Sequence, residues 1–461
     1  MRKDELTPEQ LTRIRSDLTL IPNRMNFGSA APVDGEEGEE VPADKPLSLY
    51  AENDEWIGLA REFFLARRQP HHEVELRCTY GDKSTWPGPL QWNPAFVPRP
   101  EQEEATQAFL AAFRAGTLGA LLRAKPGWGK TLFSLYLASK MQLPTLIVVH
   151  KEFLAEQWLE RIHGNPRKDI KPALLNAKVG VAQEDRCEFR GNHIVIGMVH
   201  SLAKKSYPRQ FYDWPGLVIT DECHRIGAAT WSVVPPKFRA RFRLGVTATP
   251  RRKDGCERVF KDHIGPILFT ATETRLAFKV RRVWTEYRLP KSDRVNTGLA
   301  GKPLVLTFMC ANRPRNLVIV GELLQAIQKG RKIIVLSERL DHLERLNNLL
   351  IESWPSSAGS VPTTGKYVGG MTSEEREDSE RKQVIFATYQ YAAEGLDIPA
   401  LDTAFLASPY SDVEQAVGRI GRPHPGKKDP VVVDFRDDNV GMFHRAGLTR
   451  ERFYRKSGVV L

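Results

Sequence analysis

Short, nearly uninterrupted apolar runs recur along this chain and alternate with stretches whose apolar residues return every three or four positions. Leu146 to Val149, Ile194 to Ile196, Gly216 to Thr220 and Leu244 to Val246 make one series; Lys332 to Leu336, Val384 to Ala387 and Val431 to Val433 make a second. Runs so brief and so poor in polar residues suit strands buried on both faces, as in a parallel sheet covered by helices. Their alternation with helix-like segments predicts an α/β protein with two tandem parallel-sheet domains, residues 97–269 and 312–443.

The flanks read differently. Within residues 1–96, Trp56, Ile57, Leu59, Phe63, Phe64 and Leu65 suggest an amphipathic helix and His71 to Tyr80 alternates toward strand, which predicts a small N-terminal accessory domain. Residues 28–45 are poor in large apolar side chains and include D-G-E-E-G-E-E at Asp34 to Glu40, the composition of a disordered tether or an exposed loop. Between the two sheets, residues 270–311 are mixed and basic, with Lys279, Arg281, Arg282, Arg288, Lys291 and Arg294. A connector is the expectation there, with a surface for a polyanion as the alternative. Residues 444–461 read as a tail.

Two motifs carry chemistry. Ala124 to Thr131 reads A-K-P-G-W-G-K-T, and a glycine-rich turn followed by a lysine and a hydroxyl wraps phosphates with backbone N–H groups. Gly127 and Gly129 permit positive φ and close approach, and Lys130 sets a point charge beside the terminal phosphates. Thr131 opens a helix, with Leu132, Phe133, Leu135, Tyr136 and Leu137 on its buried side, whose N-terminal dipole points at the anion. The strict pattern has Gly where this chain has Ala124, and a small residue is commoner than Trp128; the indole is expected to pack on the accessory region or to cover the nucleotide. Asp221 and Glu222 close the apolar run that follows Pro215, so both carboxylates emerge at the C-terminal end of a buried strand, where open α/β sheets hold ligands. Asp221 suits Mg2+, and Glu222 suits orienting or deprotonating an attacking water.

Asp221-Glu222-Cys223-His224 and the downstream Q-A-V-G-R-I-G-R, Gln415 to Arg422, complete a set that resembles the superfamily 2 helicases and translocases of the DExH group, in particular the phage UvsW-type and XPB-like DNA helicases, over residues 99–434. The resemblance implies two tandem RecA-like motor domains, the first binding ATP and Mg2+, the second closing on the nucleotide with arginine fingers. It places Arg99 and Gln102 at the adenine, and Ala124, Lys125, Pro126, Gly127, Trp128, Gly129, Lys130 and Thr131 around the phosphates. Gly395 and Asp397 belong to a motif beside the nucleotide, and Thr131 and Asp221 to the metal. Catalysis falls to Lys130, Asp221, Glu222, Gln415, Arg419 and Arg422. His224, with Thr247 and Thr249 of T-A-T-P, would couple the ATP site to nucleic acid. Lys151, Ser201, Ser337 and Thr388 would contact the nucleic-acid backbone, although Ser201 and Ser337 taken alone read equally as helix N-caps. Gln415 stands where DEAD-box RNA helicases carry His, and T-A-T-P where they carry S-A-T. The implied activity is therefore an ATP-dependent DNA helicase or translocase that unwinds or remodels forks and junctions. An RNA helicase, or the motor part of a larger DNA-processing complex such as a restriction system, is the alternative.

Composition agrees with that expectation. The 461 residues are 41% hydrophobic and 27% charged, ordinary for globular domains and too many for one core. A net charge of +11 suits a polyanionic partner or simply a solvated basic surface, and it is the resemblance that implies DNA as that partner. The five cysteines, Cys78, Cys187, Cys223, Cys256 and Cys310, form no C-x-x-C or Cys/His cluster, so neither zinc nor a disulfide framework is expected. No apolar stretch has the length of a membrane span, and the first residues lead into no signal-peptide core, so a cytoplasmic protein without membrane partners is the expectation, in the host cell if phage-encoded.

Overall fold

The architecture is that of a computed structural model, which describes residues 1–21, 46–67, 77–125, 127–224, 233–248, 257–272, 278–291, 301–355, 359–394, 398–421 and 424–459. They divide into two compact units, one carrying the described residues up to Thr272 and the other those from Phe278.

The first unit opens with α1 (Pro8–Asp17), the antiparallel pair β1 (Thr19–Leu20) and β2 (Leu47–Ser48), the pair β3 (Tyr50–Glu52) and β4 (Ile57–Leu59), and α2 (Arg61–Arg67). It continues through α3 (Pro100–Arg114), β5 (Gly119–Arg123), α4 (Lys130–Met141), β6 (Thr145–Val149), α5 (Glu152–His163), β7 (Val179–Gln183), β8 (Arg186–Cys187), β9 (Ile194–Met198), α6 (Val199–Lys204), α7 (Arg209–Asp213), β10 (Leu217–Asp221), β11 (Phe242–Thr247), α8 (Arg258–Ile264) and β12 (Ile267–Thr270). The eight-stranded sheet runs in the order β12-β5-β11-β10-β6-β9-β7-β8, parallel except for β7 against β8. Its central strands β6, β10 and β11 are buried at every position, which is why their sequences show apolar runs and no alternation; β7, nearer the edge, alternates.

The N-terminal residues are no separate accessory domain. Leu18, Leu49, Ala60 and Phe63 share one apolar cluster with Leu121, Leu146, Val148, Val218, Phe260 and Ile264 of the sheet and α8. The Arg61 guanidinium donates to the carbonyls of Ala240 and Leu118, each at 3.0 Å, and Thr79 bridges to Ala240. Burial lowers the pKa of Arg61, against the pull of Glu62. The helix expected over Trp56 to Leu65 begins only at Arg61: Ile57 to Leu59 pair as a strand with Tyr50 to Glu52, because that apolar spacing fits a period of two as well as a helix face. Residues 22–45, holding the acidic segment, and 71–76 lie outside the described residues.

The second unit contains β13 (Lys279–Trp284), α9 (Lys302–Ala311), α10 (Arg313–Gln328), β14 (Ile333–Ser337), α11 (Leu340–Glu352), β15 (Thr364–Tyr367), α12 (Ser373–Arg381), β16 (Val384–Thr388), α13 (Tyr389–Glu394), β17 (Thr403–Leu406), α14 (Glu414–Ile420), β18 (Val431–Arg436) and α15 (Gly441–Lys456). Its six strands are all parallel in the order β13-β18-β17-β14-β16-β15. One apolar cluster joins the strands to α13, α14 and α15, and another joins them to α10 and α11.

Two expected boundaries move. The basic stretch taken as a connector supplies edge strand β13, in register from Lys279 opposite Val431 to Trp284 opposite Arg436. Val280 and Val283 pack against the apolar clusters while the cations between them are paired, Lys279 with Asp429, Arg281 with Glu322 and Arg282 with Glu451, so the basic positions mask a short strand whose apolar residues face the core. The tail is α15, pinned by the fully buried ion pair of Arg450 with Asp434 at 2.7 Å. Among the described residues no helix is long and apolar enough to cross a membrane.

Because residues before Val97 complete the first unit's core, their deletion should leave a chain that aggregates or melts early, with every activity of the unit lost together. Phe63→Ala, milder, should cost about 3–5 kcal/mol in a denaturant titration. A soluble deletion variant with an unchanged melting temperature would contradict this packing.

Candidate active site

The ends of three adjacent strands build the site. In register, β11 sets Thr247 opposite Arg123 of β5 and Val246 opposite Asp221 of β10, so residues 124, 221 and 247 come out level at one sheet edge. The Ala124 N–H donates to the Thr247 carbonyl at 2.9 Å, which holds the glycine-rich loop onto that edge. Gly127 and Gly129 have φ of 85° and 94°, the left-handed region. A Cβ on Gly129 would also stand 2.6 Å from Nε2 of Gln102 and displace that side chain. Gly129 is the N-cap of α4, and Lys130 and Thr131 occupy the first turn, where backbone N–H groups have no intrahelical acceptor and the helix dipole favours an anion.

Glu222 stands at φ 42°, a left-handed conformation rare outside glycine and asparagine. Its Oε1 accepts from Lys130 Nζ at 2.8 Å, and its Oε2 lies 3.4 Å from His224 Nδ1, which is 2.7 Å from Thr247 Oγ1. Phosphate loop, carboxylate, histidine and the threonine of the T-A-T-P segment are thus one continuous polar chain, and the expected coupling pair His224 and Thr247 are in direct contact. Asp221 is buried; its Oδ2 accepts from Trp158 Nε1 and its Oδ1 from the Glu222 N–H, both at 2.9 Å. Burial pushes its carboxyl up, the Glu222 charge adds to this, and Lys130 and the Trp158 hydrogen bond oppose it. Burial also raises the Cys223 thiol.

Trp158 has no signal in motif spacing. On α5 it continues the buried stripe of Leu154 and Ile162, so the sequence shows a core residue and nothing of its indole N–H. Glu101 was missed likewise: its Oε2 accepts from Trp128 Nε1 at 2.6 Å and its Oε1 from the Thr272 N–H at 2.5 Å. Burial would raise the Glu101 carboxyl, but these donors hold it below the usual range.

The other expected residues have these surroundings. Trp128 is buried, edge-on to Phe133 of α4 at 5.6 Å and bonded to Glu101 of α3. Gln102, expected to offer a donor and an acceptor to a base, has both engaged within the chain, Nε2 to the Trp128 carbonyl at 2.8 Å and Oε1 from the Arg99 N–H at 2.9 Å. Ser337 is fully buried, so it presents nothing to a nucleic acid. The Asn316 Nδ2 donates to the Cys310 carbonyl, which leaves its Oδ1 to accept from His342 Nε2; His342 Nδ1 then accepts the Ser337 hydroxyl at 2.9 Å, and Ser337 Oγ accepts from the Arg339 N–H. Burial pushes the His342 pKa well down, in keeping with that neutral tautomer. Ser201 Oγ accepts from the Glu184 N–H at 2.9 Å and lies inside α6, not at its N-cap.

Lys151 is the N-cap of α5, and half-buried Thr388 ends β16. Gln415 is buried on α14 and Arg419 half-buried there. Lys125 follows Ala124 in the loop, half-buried. Pro126, Thr249, Gly395, Asp397 and Arg422 lie outside the described residues.

Residues 95–252 match the family model of the type III restriction enzyme res subunit, and residues 316–424 that of the helicase conserved C-terminal domain. A putative ATP-dependent RNA helicase of Acanthamoeba polyphaga mimivirus is 29% identical over 99% of this chain and 83% of its own length. A probable helicase of Escherichia phage T5 is 23% identical over 90% of this chain and 86% of its own. The crystal structure of T4 UvsW covers 98% of this chain and 94% of its own at 16% identity, with a TM-score of 0.36.

Trp158→Phe keeps the ring and removes the N–H. The lost hydrogen bond favoured the ionised Asp221, so its carboxyl should titrate higher and the acidic limb of the hydrolysis–pH profile should move to higher pH, with turnover reduced at neutrality. An unmoved limb beside a lowered melting temperature would make Trp158 a packing residue alone.

Proposed function

We propose that this chain, a superfamily 2 helicase by its two matched domains, uses ATP hydrolysis to translocate on DNA and to unwind or remodel forks and junctions. The observation that carries the ATP half is the polar chain Lys130, Glu222, His224, Thr247 at the level ends of β5, β10 and β11. ATP and Mg2+ fit the residues present. The left-handed glycines Gly127 and Gly129 and the first-turn N–H groups of α4 form the cradle for phosphate, and Thr131 and Asp221 are the oxygen donors a hard cation takes. The metal, when bound, would neutralise phosphate charge.

Lys130 leaves Glu222 for the terminal phosphates, which frees that carboxylate to orient and deprotonate water. His224 and Thr247 carry the change in Glu222 toward the T-A-T-P segment. Arg419, with Arg422, supplies charge to the transition state. Lys151, Ser201 and Thr388 hold the nucleic-acid backbone by phosphate, which makes binding sensitive to salt and tolerant of sequence. DNA is favoured by Gln415 and by T-A-T-P, the two departures from the DEAD-box type. The mimivirus relative is named an RNA helicase, which supports RNA as the second reading.

Lys130→Ala should abolish hydrolysis, and Glu222→Gln should lower kcat by about 10²–10⁴-fold while nucleotide still binds in a direct titration. Arg419→Ala should lower kcat by about 10³-fold or more with nucleotide affinity changed only a few-fold. ATPase stimulation by single-stranded, duplex and forked DNA and by RNA, run in parallel, should be greatest with forked DNA. Greatest stimulation by RNA overturns the substrate and leaves the ATPase reading standing.

A further inference from the structure

Helix α15 buries Phe443, Gly447, Arg450 and Tyr454 against the second sheet. Its opposite side exposes Arg445, Leu448, Thr449, Arg452, Arg455 and Lys456. At 3.6 residues per turn these six fall on one stripe roughly 120° wide, and it holds no acidic residue. The helix's one carboxylate, Glu451, lies at the margin, engaged by Arg436 and Arg282, with Arg455 4.0 Å away. Arg445, Arg452 and Lys456 form no ion pair among the described residues, in contrast to the cations of β13.

A bland account covers part of this. Cations in a last turn complement the helix dipole, which explains Arg455 and Lys456. It does not explain Arg452 or Arg445, which lie further from the C-terminus, nor the lack of any anion on the stripe. From Arg445 to Lys456 the stripe runs about 16 Å at 1.5 Å per residue, enough to span several phosphates, which on each strand recur about every 3.4 Å of duplex axis. An anionic lipid surface would ask for apolar side chains to insert beside the cations, and the stripe offers Leu448 alone.

We propose that the exposed face of α15 is a binding surface for the sugar-phosphate backbone of the nucleic-acid substrate, with Arg445, Arg452 and Lys456 as its phosphate contacts and Arg455 beside them. It rests on the nucleic-acid reading above and adds a surface to it. The buried Arg450–Asp434 pair fixes the rotation of the helix and so keeps the cationic stripe outward. Guanidinium and ammonium groups on a regular helix read charge spacing, not bases, so the surface contributes affinity and salt dependence without sequence preference.

The test is the full-length triple variant R445Q/R452Q/K456Q, titrated by fluorescence anisotropy against a labelled fork and an RNA strand of matching sequence across a range of KCl. The slope of log K against log salt should fall in magnitude by about 2 to 3, since each neutralised phosphate contributes about 0.7 to 0.9. Affinity at low salt should drop at least about tenfold, and R445K/R452K should keep the wild-type slope. If the triple variant melts early, the three single Gln variants replace it, each expected to lose just under one unit of slope. Wild-type slopes in these variants overturn the surface while the function stands. Wild-type protein that binds neither nucleic acid overturns the function itself and the surface with it.

Discussion

The parallel register of β5, β11 and β10 is the constraint on which the chemistry depends. Three residues distant in sequence, Ala124, Asp221 and Thr247, are level only because Arg123 lies opposite Thr247 and Asp221 opposite Val246. A one-residue slip would move a strand end by about 3.3 Å and reverse the faces of its side chains. Lys130 would then miss Glu222, and His224 would miss Thr247. Slippage is opposed by burial on both faces, since every residue of β10 and β11 is inside. The apolar runs that announce the fold are therefore also what aligns the polar site.

Within that frame, the groups best suited to hold a ligand are satisfied by one another. Lys130 is bonded to Glu222, Gln102 to the loop carbonyl of Trp128, and Asp221 to Trp158 and the Glu222 N–H. Buried donors and acceptors left without partners would be costly, so such a site exchanges one set of bonds for another when a nucleotide enters. The left-handed conformation of Glu222 costs of order 1 kcal/mol or more and persists because its N–H and its carboxylate are both held. That conformation turns the Glu222 side chain to the lysine while Asp221 stays beside Trp158.

The second unit shows the same logic with charge. Arg315 with Asp437, and Arg450 with Asp434, are ion pairs out of reach of water. Burial would raise the Asp437 carboxyl, but Arg315 beside it, helped by the Thr285 hydroxyl, holds it below the usual range. Such pairs add little net stability compared with apolar packing, yet losing one partner leaves a buried charge and costs about 3–5 kcal/mol. Their effect here is to fix α10 and α15 in one orientation on the sheet, which decides what α15 turns to solvent.

The sequence by itself determined the class of fold, the two strand series, the phosphate loop with its obligatory glycines, and the Asp221-Glu222 pair at a strand end. Each is a local matter: burial on both faces erases alternation, a positive φ demands glycine, and a strand's last residues stand at its edge. Only the tertiary structure decided that His224 meets Thr247, that Trp158 holds Asp221, that Ser337 is sealed inside by His342 and Asn316, and that Trp128 turns to Glu101 and Phe133. It also decided that a basic stretch is a strand, that a tail is a helix, and that the first residues belong to the first core. In these cases the partner lies far along the chain, and a side chain's role is set by which strand or helix is packed beside it, which no local pattern encodes.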